Sequence, residues 1–157
     1  MEDWGRHLAV FRENLSVLPQ LVDGVSAGRL RRVPATGEWS AHDIVCHLVL
    51  DEMSTTVILR LILTEDNPLL PGLDADNRFC ATRFAPLYPD TATALDLWRA
   101  LREDNLRLCA SLSANDLERA GRASWRNGET ITLRHYVASR GRHDGVHIAQ
   151  IEAALSG

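Results

Sequence analysis

The stretch Gly37-Glu38-Trp39-Ser40-Ala41-His42-Asp43-Ile44-Val45-Cys46-His47-Leu48 reads as a loop turning into a helix. Ser40 is a good N-cap, because its hydroxyl can accept from the open N–H groups of the first turn. Asp43, three residues on, supports that turn. The pattern then continues to about Leu63, with Ile44, His47, Leu48, Asp51, Thr55 and Ile58 sharing one face. That face is inward. His47 therefore points into the protein, where an imidazole needs a partner.

The best partners lie about a hundred residues downstream, in Arg140-Gly141-Arg142-His143-Asp144-Gly145-Val146-His147-Ile148-Ala149-Gln150. His143 and His147 are four residues apart, which on a helix places both imidazoles on one face about 6 Å apart along the axis. Two such rings can grip one metal ion. The pair alone reads equally well as two half-exposed histidines on a surface helix. Two neighbours argue against that: Arg140 and Gln150 fall on the same face, and Arg, His, His and Gln together make poor core.

Working outward, the chain divides into four long helical patterns. The first runs from about Asp3 to Val25 through Trp4, Leu8, Phe11, Leu15, Leu18 and Val22, with Pro19 predicting a kink or break near Leu15 to Leu18. Gly28 to Gly37 reads as a loop. The second helix is the one carrying His47. Thr64 to Pro89 is punctuated by prolines, is longer than most connections, and is expected to be a crossover or an active-site cover with short helical pieces around Asp76 to Arg83. The third helix spans about Thr91 to Leu112, with a stripe of Ala94, Trp98, Leu101, Leu108 and Leu112. Ser113 to Asn127 is irregular, with a short turn around Asn115 to Leu117. Thr132 caps the fourth helix, which reaches about Leu155 and carries Leu133, Tyr136 and Val137 ahead of the histidines. Alternation at period two is weak throughout. The fold class expected is all-α: one domain, residues 1–157, a four-helix bundle with a long crossover between helices 2 and 3.

Composition narrows the chemistry. The 157 residues carry a net charge of -4, which disfavours nucleic acid as a partner. All 17 basic residues are Arg, so no lysine is present to form a Schiff base or to serve a phosphate-binding loop. The three cysteines, Cys46, Cys80 and Cys109, are scattered and odd in number. A disulfide framework is not expected, and a cytoplasmic location fits. Met1-Glu2-Asp3-Trp4 does not read as a signal peptide, and the longest apolar run is broken by Arg60, so no membrane association is expected.

The other candidates are weaker. Asp51, one turn after His47, could be a fourth ligand, a partner to a ligating imidazole, a base, or a plain surface carboxylate. Arg140 could orient an anionic substrate group or simply pair with Asp51 or Glu52. Asp144 is about 100° round the helix from His143 and is expected to be exposed. His42 faces away from His47, His135 lies two turns below His143, and His7 reads as structural or exposed. Cys46 reads as buried packing. Trp39 looks like a hydrophobic staple ahead of its helix.

The two quoted stretches, together with Glu52 and with Asn127-Gly128-Glu129-Thr130-Ile131-Thr132-Leu133, resemble the two motifs of the DinB-like (YfiT-like) superfamily in order and spacing. The resemblance covers nearly the whole chain. It implies a four-helix bundle holding a metal, nickel or zinc, on His47, His143 and His147, and it implies a homodimer. It also implies a small-molecule substrate. Characterised members of the family include metal-dependent thiol transferases, a mycothiol-dependent isomerase and candidate hydrolases. The expected function is a metal-dependent enzyme that uses the three-histidine site, with Asp51 and Arg140 beside it, to activate a low-molecular-weight thiol or water. Thiol transfer is placed ahead of hydrolysis. The competing reading is a noncatalytic dimeric binding or stress-response module with a structural or absent metal.

Overall fold

A computed structural model of the chain describes residues 2–35, 37–72 and 83–156. Its frame is four long helices: α1 (Glu2–Val22), α3 (Ala41–Thr64), α4 (Thr91–Ala110) and α6 (Leu133–Ser156), with short helices α2 (Ala27–Leu30) and α5 (Ala114–Glu118) between them. Helix α3 packs on α4 and α6, and α1 packs on α6 and α4. The two helices that carry the predicted histidines, α3 and α6, are thus neighbours, while α1 and α3 stand on a diagonal.

Local signals set most helix ends. Ser40 Oγ accepts from the Asp43 N–H at 3.2 Å, and Asp43 Oδ2 accepts from the Ser40 N–H at 3.1 Å, a reciprocal capping box. Asp90 accepts from Thr93 at the start of α4, and Thr132 accepts from the His135 N–H at the start of α6. Helix α1 runs unbroken through Pro19, so of the kink or break expected near Leu15 to Leu18 the break does not occur. Pro19 sits in the last turn, so it forfeits only one bond before the chain leaves the helix at Val22. The 28–37 loop begins with one unpredicted helical turn, Ala27–Leu30, capped by Ser26 and anchored by buried Leu30.

The bundle also carries a small sheet that weak alternation did not predict. Its strands are β1 (Leu69–Leu70), β2 (Ala120–Ala123) and β3 (Glu129–Thr132), in the order β1-β2-β3. Strand β1 is parallel to β2, and β2 is antiparallel to β3. Strands of two to four residues are too short to show a period. A hairpin signal was present in Asn127-Gly128, whose φ angles of 53° and 81° are both left-handed. Gly121 is required where β1 lies beside β2, because a Cβ there would lie 2.7 Å from a Leu70 methyl and 3.0 Å from the Pro68 carbonyl. The helical pieces expected around Asp76 to Arg83 fall almost wholly on 73–82, outside the described residues, as does Cys80.

The apolar core is split in two. One cluster includes Phe11, Leu59, Ile62, Leu133 and Val137; the other includes Leu18, Ile44, Leu48, Trp98 and Ile151. Between them runs a buried polar layer with one member or more from each long helix: Asn14, Glu52, Arg102, Asn105 and Asp144. Arg102 donates to Glu52 Oε2 at 2.9 and 2.6 Å and lies 2.9 Å from Asp144 Oδ2. It also donates to the Phe11 carbonyl, and its guanidinium lies 3.8 Å over the Phe11 ring. Asn105 satisfies Glu52 Oε1, and Asn14 satisfies Asp144. Burial works against the arginine's charge, but the two carboxylates more than offset it and hold its pKa above the ordinary value.

This layer corrects two expectations. Asp144 is buried rather than exposed, at 4% accessibility. The buried face of α4 is centred on Trp98, Arg102, Asn105, Leu106 and Cys109, while Leu101, Leu108 and Leu112 are only half-buried. A stripe traced through apolar residues alone steps around the polar residues that occupy the centre of this face.

Replacing Arg102 with Ala strands both carboxylates in the core. We expect a loss of about 3–5 kcal/mol in urea unfolding. Gly121→Val should cost about 1–3 kcal/mol by overpacking Leu70 against Pro68, read from the same transition.

Candidate metal centre

Helix α3 presents His47 and Asp51 one turn apart, and the neighbouring α6 presents His143 and His147 one turn apart. Where the helices meet, these four residues each offer a ligand atom within 4.8 Å of every other. The ring centroids lie 4.4 Å apart for His143 and His147, 4.6 Å for His47 and His147, and 5.6 Å for His47 and His143. Asp51 Oδ2 is 3.4 Å from His47 Nε2 and 3.1 Å from His143 Nδ1. The structure thus brings together His47, Asp51, His143 and His147, and sets Arg140 beside them at 3.8 Å from Asp51.

The donor set fits a cation. His147 Nδ1 lies 2.7 Å from Gln150 Oε1, a pairing in which the imidazole N–H donates to the amide oxygen. That leaves His147 Nε2 with its lone pair, facing His143 Nε2 at 3.1 Å. Nitrogens on one zinc at about 2.0–2.1 Å sit roughly 3.4 Å apart in a tetrahedral site, close to this separation. His143 is held neutral, its pKa lowered to about 3 by burial, then by the charge of Arg140 and by the other two histidines. His147 is lowered as well, first by burial and then by His47. Neutral imidazole is the form that binds metal.

Several contributors escaped the sequence reading. Trp39 does not merely staple its helix: its ring lies 5.0 Å from that of His47 and stacks at 17° on that of His147. Tyr136 lies under the Arg140 guanidinium at 5.4 Å and bonds Thr55 through its hydroxyl. Trp125 stands edge-on to Tyr136. Only folding reveals these contacts, since Trp39 and Trp125 come from loops. Arg102 does leave a signal in the sequence, lying four residues after Trp98 and seven before Cys109 on one helix face. The remaining histidines stay apart. His42 is buried between Thr91 and the Ala85 carbonyl, His7 pairs with Asp3, and His135 is exposed.

Two cavities flank the cluster and share no lining residue. One, of about 410 Å³, is walled by Trp39, Ile44, His147 and Gln150. The other, of about 150 Å³, is walled by Asp51, Trp125, Tyr136, Arg140 and His143. The crossover contributes Pro71 and Gly72 to the second wall. Gly72 donates to Ser124 Oγ at 2.7 Å, which ties this part of the crossover to the turn bearing Trp125. Among the described residues, no helix is long and apolar enough to cross a membrane.

Known proteins share this fold. YfiT from Bacillus subtilis, described as a candidate metal-dependent hydrolase with an unusual four-helix bundle topology, superposes with a TM-score of 0.87 at 23% identity, over 98% of this chain and 86% of its own. A mycothiol-dependent maleylpyruvate isomerase superposes at 0.72 with 12% identity, over 94% of this chain and 60% of its own. In sequence, a candidate metal-dependent hydrolase of Oceanobacillus iheyensis is 23% identical over 99% of this chain and 86% of its own length. A second, from Bacillus licheniformis, is 33% identical over 75% of this chain and 65% of its own. The family model of the DinB superfamily matches residues 11–151, which takes in both histidine-bearing helices and the crossover between them; this chain belongs to the DinB superfamily.

Proposed function

We propose that this protein is a metal-dependent enzyme that activates a low-molecular-weight thiol and transfers it to an electrophilic small molecule. The observation that carries the reading is the meeting of His47, His143 and His147 at one point, with a separate cavity on each flank. A hydrolase needs room for one organic substrate and water. Two cavities reaching different histidines give room for two organic reactants.

In this reading the three imidazoles would hold one divalent ion, nickel or zinc, as a three-ligand catalytic site does. Such an ion supplies Lewis acidity, which lowers the pKa of a thiol or water bound to it. Asp51 orients His47 and His143 and stands where it can take a proton from the incoming group. Gln150 fixes the His147 ring, and Trp39 walls the centre from one side. Arg140 holds an anionic group of a reactant. The layer beneath carries the supports: Glu52 adjoins Asp51, and Asp144 adjoins His143.

Hydrolysis is the second reading, and the descriptions of the relatives as candidate metal-dependent hydrolases favour it. Loss of metal separates both from a noncatalytic role. Purified protein should carry about one nickel or zinc ion per chain by elemental analysis. His143→Ala should lose at least about nine-tenths of that ion and keep the helical signal and a cooperative melt, because an open site contributes little to the fold. A melt that collapses together with the metal would mark the ion as structural.

The metal-loaded protein should join small thiols to monochlorobimane. The sulfur–carbon bond forms, chloride departs and the thiol proton passes to solvent, so fluorescence reports the product. Asp51→Asn should slow this step by roughly 10²–10⁴ while metal stays bound. Ester or amide cleavage without thiol turnover would decide for the hydrolase.

A further inference from the structure

The smaller cavity is lined by a cation, Arg140, that makes no hydrogen bond to another of the described residues. Arg140 Nε is buried and has no hydrogen-bond acceptor. Among the described residues, its guanidinium reaches a carboxylate only at Asp51, at 3.8 Å, beyond hydrogen-bonding range. Asp51 itself lies nearer to His143 and His47, at 3.1 and 3.4 Å. The guanidinium lines the cavity and keeps 21% of its side chain exposed, so its terminal N–H groups are open to an acceptor placed there. The contrast with Arg102 is instructive: that buried arginine donates to Glu52 and to the Phe11 carbonyl and pairs with Asp144.

The rest of the wall describes what accompanies the acceptor. Trp125, Tyr136 and Ile58 offer ring and aliphatic surface, and His143 opens the cavity to the metal donors. Tyr136 cannot supply the missing negative charge, because burial pushes its hydroxyl up to about 12 and keeps it neutral. A cavity of about 150 Å³ holds a group the size of benzene. A planar carboxylate suits a guanidinium, whose fork of donors it can accept from side by side.

We propose that this cavity is the acceptor subsite, and that it selects a small, flat carboxylate, aryl or unsaturated, with its carboxylate on Arg140 and its body between Trp125 and Ile58. Arg140 then serves the electrophilic substrate, not the thiol. The thiol is left to the larger cavity at His147 and Trp39. This inference rests on the donor cluster being the reaction centre, but its binding step can be measured without turnover.

The probe is benzoate, titrated calorimetrically into the full-length protein at low salt, both zinc-loaded and after chelation, with benzamide as the uncharged analogue. Benzoate should bind both forms more tightly than benzamide. Arg140→Gln should weaken benzoate by about tenfold or more, the expected loss of one charge-assisted contact, and leave benzamide unchanged. Arg142→Gln, at an exposed position two residues on, should change neither. Equal binding of benzoate and benzamide by the wild-type protein would overturn the subsite, and that comparison needs no variant to fold. So would benzoate binding that requires zinc and survives Arg140→Gln, since the carboxylate would then sit on the metal. Protein that takes up no metal yet shows Arg140-dependent benzoate binding would remove the metalloenzyme reading and leave the subsite standing.

Discussion

Arg102 is the residue on which the arrangement depends. A guanidinium at 1% accessibility is tolerable only with its charge balanced and its donors occupied. Glu52 from α3 and Asp144 from α6 supply the charge, and the Phe11 carbonyl of α1 takes a further donor. One side chain of α4 therefore touches all three other long helices at a single level. Apolar packing above and below this level is non-directional and would accept small slips between helices. The polar layer does not, because a slip of one position strands a buried charge.

That constraint lies directly beneath the candidate metal donors. Asp51 follows from Glu52, and His143 from Asp144, by one step along the same backbones. Fixing Glu52 and Asp144 on one arginine thus fixes how α3 and α6 face each other. The donors His47 and His147 lie one turn further along their helices. Gly141 lets α1 approach closely, since a Cβ there would come within 3.1 Å of a Val10 methyl. Asp144, expected at the surface, instead belongs to the buried layer that seats the site.

The centre is unlike its two cavities in origin. Its candidate donors lie within two long helices, the kind of element that holds a ligand set at constant geometry. The cavity walls come partly from connections: Trp39 from the loop before α3, Pro71 and Gly72 from the crossover, Trp125 from the turn between β2 and β3. The small sheet is what brings the last two together, since β1 lies parallel to β2 and Gly72 bonds Ser124. Donors on helices and selectivity on loops is the usual division of labour in a fold shared by proteins of different function.

Much was legible in the chain itself. Helical periodicity and caps located the four long helices to within a few residues, and Ser40 with Asp43 marked the start of α3. Spacing put His143 and His147 on one face and His47 on an inward face, because a side chain's direction along a helix follows from its position. Local rules reach no further than the next turn. They could not tell that Arg102, a charged residue on an apolar face, meets Glu52 and Asp144, or that two-residue and four-residue strands pair across fifty positions. They could not show that Arg140 makes no hydrogen bond to another of the described residues. Those facts depend on which helix lies beside which, and only the packed tertiary structure decides that, since burial and pairing are properties of the neighbours and not of the residue.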